Sequence, residues 1–171
     1  MMPQPKRIDQ SDDGGSHAIG LDFNLPEALP YISYLRKATR HLLQEVGVSG
    51  GDIDDLETMI GELATNAARH AKGGNYHVSI EVHNDQVTIT VTDSGVGFEP
   101  SGVQAPGSTR IDDLSEEDDL RFGGFGLPLV QLLADQVSIE RNQPKGMIIR
   151  AKKTVASRAE EDPKKRESDR E

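Results

Sequence analysis

The strongest constraint on the fold of this chain is a change of hydrophobic period. Ile53, Leu56, Met59, Ile60, Leu63 and Ala67 recur every three or four positions, the stripe of a helix with one buried face. From Tyr76 the period drops to two, through Val78, Ile80 and Val82. A polar turn at Asn84-Asp85 follows, and then Val87, Ile89 and Val91. That second pattern is a β-hairpin with one face to bury. A one-faced helix followed by a one-faced hairpin calls for helices layered on a sheet.

The flanking sequence extends this pattern. Ile19, Leu21, Phe23 and Leu25 alternate with smaller or polar residues and predict a short strand. Pro26 is expected to open a helix with Leu29, Ile32, Leu35, Leu42, Leu43 and Val46 at apolar positions and Gly47 as its stop. Asp52 is expected to cap the next helix, which runs to about Lys72 before Gly73-Gly74. A third helix is predicted from about Gly126 to Ala134. Val137 to Glu140 and Gly146 to Lys152, around a turn at 142–145, predict a last hairpin. The order β-α-α-β-β-loop-α-β-β implies an α/β (α+β) two-layer sandwich. Its sheet is expected to be mixed, mostly antiparallel and covered on one face by helices.

Composition sets the outer limits. At 171 residues the chain suits one domain. Residues 1–18 and 154–171 are polar, charged or broken by proline, and are expected to be disordered tails around a folded unit at 19–153. The absence of cysteine excludes a disulfide framework, a zinc ribbon and a cysteine nucleophile, and fits a cytoplasmic setting. A net charge of −10 argues against direct nucleic-acid binding, which needs clustered Lys and Arg. No apolar run reaches the roughly 20 residues of a membrane span, so no membrane partner is expected.

Three segments carry polar or glycine residues with chemical potential. In GELATNAARHA, Glu62, Asn66 and His70 are spaced by four and share a helix face beside the apolar stripe. Such a face is either simply solvated or a site, with a carboxylate for base work and an amide oxygen for a hard cation such as Mg²⁺. In DSGVGF, Asp93 ends a strand, and Gly95 and Gly97 permit either a plain turn or close approach of backbone to a ligand. In GGFGLPLV, Gly123, Gly124 and Gly126 lead into a helix whose first amides can receive phosphate. Neither a P-loop nor a G-x-G-x-x-G after the first strand is present.

In combination, E-x-x-x-N on a helix, D-x-G-x-G after a strand and G-x-G-L opening a helix resemble the ATP-binding (Bergerat-type) fold. That fold is shared by gyrase, Hsp90, histidine kinases and MutL. The first strand with PEALPYISYLRKATRHLL, the G-E-L-x-T-N-A-x-x-H-A stretch and the closing hairpin are similar to the small anti-sigma factor serine/threonine kinases, over roughly residues 20–152.

The resemblance implies ATP and Mg²⁺ as cofactors. It implies Glu62 as the base that activates the attacking hydroxyl and Asn66 as the residue holding Mg²⁺. Asp93 would accept the adenine amino group, with Gly95 and Gly97 passing close to the base. Gly124, Gly126 and Leu127 would close over the phosphates through their amides. A cation near the γ-phosphate is expected, with Arg121 the candidate and Arg110 the other choice; Arg69 is expected at the surface or an interface. His70 matches the helix end of the family and fits a structural role as well as a catalytic one.

Partners implied by the same resemblance are a sigma factor, an anti-sigma factor antagonist phosphorylated on serine, and a second copy in a homodimer. The alternative is a nucleotide-gated binding module that transfers no phosphate. A histidine-kinase catalytic domain is a weaker third reading, because no helical segment with a phosphoacceptor histidine precedes the ATPase part. Two departures from the family stand out. Its members often carry a threonine after the glycine of the last hairpin, whereas Met147 and Ile148 follow Gly146 here. The expected lid, residues 99–123, carries a net charge of −5, read either as a solvated surface or as a selector of basic partners.

Overall fold

The computed structural model describes residues 6–7, 18–70, 74–95 and 126–158. The strands are β1 (Lys6–Arg7), β2 (Ile19–Pro26), β3 (Asn75–His83), β4 (Gln86–Thr92), β5 (Gln136–Arg141) and β6 (Met147–Thr154). The helices are α1 (Pro30–Glu45), α2 (Gly50–His70) and α3 (Gly126–Leu133). The sheet order is β1-β2-β3-β4-β6-β5, and the helices pack on one face of it. The two-layer architecture is the expected one. A mixed sheet was expected, but every described pairing is antiparallel. The cause is the last hairpin: the chain returns to the sheet at the edge strand β5, and β6 folds back between β5 and β4.

Alternation decides which side chains are buried. Val78, Ile80 and Val82 on β3 face Val91, Ile89 and Val87 on β4, all buried beneath α2. The opposite face carries Ser79, Thr88, Thr90 and Arg150. On α2, Ile53, Leu56, Met59, Ile60 and Leu63 are at most 2% exposed, so the predicted stripe is the helix's contribution to the core.

Several boundaries move, each for a local reason. Pro26 does not open α1; it closes β2, paired with Asn75, and Pro30 takes the first helical turn instead. The helix stops at Gly47 as expected (φ 80°), with the Val48 N–H donating to Leu43 O and the Gly47 N–H to Gln44 O, a Schellman motif. Ser49, not Asp52, caps α2. The Ser49 hydroxyl accepts from the Asp52 N–H (3.3 Å) and donates to Asp52 Oδ2 (2.9 Å), leaving Asp52 as the acidic residue of the first turn.

The folded unit also extends past both expected limits. Lys6–Arg7, assigned to a tail, pairs with Leu21 and Asp22 as an edge strand. The domain continues beyond 153 to Arg158: Val155 is buried, the Ala156 N–H donates to Asp52 Oδ2 (2.7 Å), and the Arg158 N–H donates to Gly47 O (2.8 Å). The remainder of both tails lies outside the described residues. No helix is long and apolar enough to cross a membrane among the described residues.

Candidate functional site

The site is built at the end of the sheet where β4 finishes. Leu25 pairs with Tyr76, and Asp93, one residue past β4, continues the register in which Thr92 pairs with His77 and Ile148, so that Leu25, Tyr76, Asp93 and Met147 form one row, all of them buried. Three of these side chains belong to the core. The fourth, Asp93, is a carboxylate that is only 6% exposed. Its backbone is fixed on two sides: the Asp93 N–H donates to Met147 O (3.0 Å), and Asn142 Nδ2 donates to Asp93 O (3.0 Å). Its Oδ1 accepts the N–H of Gly95 (2.8 Å). No described cation forms an ion pair with it. Burying a carboxylate without a cation is costly, and backbone donors offset part of that cost.

Glycine is required here for proximity. A Cβ at Gly95 would collide with the backbone carbonyl of His70, the last residue of α2. A Cβ at Gly146 would collide with the carbonyl of Asp93, and Gly146 also has φ 105°. At the start of α3, a Cβ at Gly126 would lie 2.6 Å from Glu62 Oε2. Both glycine segments are therefore seated on α2, one at its C-terminal carbonyl and the other against the Glu62 carboxylate.

Asn66 lies between these two contacts, one turn from Glu62 and one turn from His70, and is half-buried. The structure thus gathers Glu62, Asn66, Asp93, Gly95 and Gly126 along one side of α2. Leu127 sits in the first turn of α3, packed against the core. Gly97, Gly124, Arg121, Arg110 and the expected lid at 99–123 lie outside the described residues. Among the described residues, no group of three or more histidines and carboxylates could hold a metal ion by itself. A lone Asn66 amide suits a cation that arrives with its own anionic ligand.

Two residues were missed by sequence reasoning. Asn142 appeared only as part of a turn, yet it ties the last hairpin to Asp93; its spacing before Gly146 is the available signal, since Asn142 N–H also donates to Gly146 O (2.9 Å). Tyr76 was read as a core position. Its hydroxyl has no hydrogen-bond partner among the described residues, and burial pushes its pKa up to about 12. The family's usual hydroxyl after the hairpin glycine is absent: Met147 is buried and offers only its carbonyl, already taken by Asp93.

Residues 25–153 match the family model described as the histidine kinase-like ATPase domain. The chain belongs to that family. A serine-protein kinase RsbW of Staphylococcus epidermidis is 28% identical over 124 residues, 70% of this chain and 77% of the relative. That of Oceanobacillus iheyensis is 28% identical over 141 residues, 80% of this chain and 87% of the relative. Among solved structures, the SiaB–SiaC complex of Pseudomonas aeruginosa contains a chain that matches with a TM-score of 0.58 at 18% identity, covering 77% of this chain and 88% of that one. The RsbU and RsbW domains of a Mycobacterium tuberculosis protein match with a TM-score of 0.57 at 18% identity, over 80% of this chain and 32% of that one. The resemblance stated from the three sequence segments is therefore the one these comparisons find. Within this fold two glycines, Gly95 and Gly126, bring their segments into contact with α2, and a third, Gly146, lies against Asp93.

Proposed function

We propose that this chain is an ATP-dependent serine/threonine protein kinase of the anti-sigma factor type, which phosphorylates a serine of an antagonist protein and releases or captures a sigma factor accordingly. The observation that carries this reading is the contact of Gly126 with the Glu62 carboxylate, 2.6 Å from where a Cβ would stand. It puts a candidate base beside a helix N-terminus suited to phosphate. The relatives named serine-protein kinases support the reaction class.

In this reading Asp93 accepts a hydrogen bond from the adenine amino group, which separates adenine from guanine. Asn66 offers its amide oxygen to Mg²⁺. The amides at Gly124, Gly126 and Leu127 receive phosphate oxygens, with Gly97 near the base and Arg121 as the expected cation. When bound, Mg²⁺ neutralises charge on the phosphates. Glu62 takes the proton of the incoming serine hydroxyl, and the remaining work is positioning. Homodimerisation and a cytoplasmic setting belong to the same reading.

The test is transfer of labelled γ-phosphate from ATP to a co-encoded antagonist domain. Glu62→Gln should lower transfer by roughly 10²–10⁴-fold while ATP affinity changes little. Asp93→Ala should weaken ATP binding by roughly ten- to 150-fold, the loss of a charge-assisted bond. ATP binding without transfer to any such antagonist would instead identify a nucleotide-gated binding module.

A further inference from the structure

Two buried side chains in the row at the site end of the sheet carry oxygen, Asp93 and Tyr76, and the proposed ATP site uses only the first. Tyr76 is 1% exposed, and its hydroxyl has no hydrogen-bond partner among the described residues. A buried tyrosine hydroxyl ordinarily finds a partner, because leaving the bond unmade costs its full desolvation. The other buried polar atom without a partner among the described residues is Asp22 Oδ2. That carboxylate lies on the opposite face of the sheet, and its Oδ1 meets His77 Nε2 (3.0 Å). Tyr76 has a single polar atom and nothing in the described protein to satisfy it.

The register sets this hydroxyl beside Asp93. Tyr76 and Asp93 are neighbours on adjacent strands and point to the same, helix-covered face, where the Cβ atoms of opposed residues stand about 4.5–5.5 Å apart. The phenol is the longer side chain, so its hydroxyl reaches further from its own strand than a carboxylate can. On the other flank of Asp93, Met147 brings no hydroxyl, and its carbonyl is taken by the Asp93 N–H (3.0 Å). Within the row, Tyr76 is therefore the one side chain that can donate a hydrogen bond next to the carboxylate. Burial keeps it a donor, by pushing its pKa up to about 12 so that the phenol stays protonated at neutral pH.

An adenine whose amino group donates to Asp93 presents its ring nitrogen N1, a bare acceptor, immediately beside that amino group. Guanine carries a hydrogen on the same nitrogen, where a donor meets no acceptor. We propose that Tyr76 is a purine-selecting residue, whose hydroxyl donates to N1 of adenine, directly or through one water, while Asp93 accepts from the adjacent amino group. The proposal rests on the reading of Asp93 as the adenine acceptor and adds to it a second hydrogen bond that tells adenine from guanine.

The test is calorimetric titration of the full chain with Mg²⁺-ATP and with 1-deaza-ATP, in which a C–H replaces N1. The parent should bind 1-deaza-ATP roughly three- to tenfold more weakly than ATP, the loss of one neutral hydrogen bond. Tyr76→Phe should weaken ATP binding by the same roughly three- to tenfold and bind the two nucleotides within about twofold of each other, because donor and acceptor belong to one bond. Without nucleotide, the variant should melt no lower than the parent, which separates a lost contact with the base from a weakened core. Equal ATP affinity in parent and variant, or a preference for ATP over 1-deaza-ATP that is absent from the parent or persists in the variant, overturns the role of Tyr76 and leaves the ATP site standing. A variant that melts lower and loses both nucleotides equally also overturns it, since the tyrosine is then structural. A parent that binds neither nucleotide overturns the ATP reading itself, and this proposal with it.

Discussion

The two ends of the sheet are built from similar residue types and held together differently. At the end away from the site, polar groups satisfy one another. Asp52 accepts the hydroxyl of Ser49, the cap of its helix, and the N–H of Ala156; Lys153 reaches Asp52 (3.6 Å) and Asp55 (3.1 Å), and Asp85 O accepts the Val155 N–H (2.7 Å). Burial opposes the charge on Lys153, yet Asp55, Asp52 and Asp135 together raise its pKa. At the site end, the fit comes from backbones in contact, and Glu62 and Asn66 are left without any hydrogen-bond or ion-pair partner among the described residues. One end satisfies its polar side chains with one another, while the other leaves Glu62 and Asn66 without such partners among the described residues, as the proposed ATP site requires.

Glycine makes the contrast sharpest. Gly47 and Gly146 both have positive φ, 80° and 105°, but a Cβ at Gly47 would meet nothing within 4 Å, whereas one at Gly146 would strike Asp93 O. Gly146→Ala is therefore expected to cost more than about 3 kcal/mol, combining backbone strain with a collision against main chain. Gly47→Ala should cost about 1–2 kcal/mol, strain alone. Urea melts of the two variants measure the difference, and equal losses would erase the distinction between the ends.

Asp52→Ala comes next. It removes a cap partner of Ser49, the acceptor for Ala156 and a neighbour of Lys153, and should cost about 2 kcal/mol with ATP affinity unchanged. A loss of ATP binding at matched folded fraction would show that the two ends are coupled. The smallest effect is expected at Tyr76→Phe. Deleting a buried hydroxyl that has no partner among the described residues should raise stability by up to about 1 kcal/mol, seen as a higher melting temperature. A lower melting temperature would mean that the hydroxyl is satisfied by a group at the site.

Much of the fold could be read from period alone. The α2 stripe and the β3–β4 hairpin were legible because a 3.6-residue or two-residue repeat of apolar side chains has few other uses. The errors fall where local signals compete. Pro26 and Pro30 are both admissible helix openers, and the pairing of Pro26 with Asn75 selects the second. Ser49 and Asp52 are both good caps, and they act jointly. The end at 153 failed because Val155 looks like a lone apolar residue in a charged tail until Asp52 and Asp85 bind the chain around it.

For the site, the line Glu62–Asn66–His70 follows from helix geometry, and the glycine segments were visible as turns and helix entries. Which backbone meets which carboxylate was not visible. By itself, the sequence determined the elements, their buried faces and the residues able to do chemistry, because these depend on interactions a few positions apart. Only the tertiary structure decided that Gly95 meets the end of α2, that Gly126 meets Glu62, and that Asn142 secures Asp93. Those contacts join residues up to 64 positions apart, such as Glu62 and Gly126. The first two are possible because residues 95 and 126 carry no Cβ, and the third is a side-chain hydrogen bond made once the last hairpin is paired to β4.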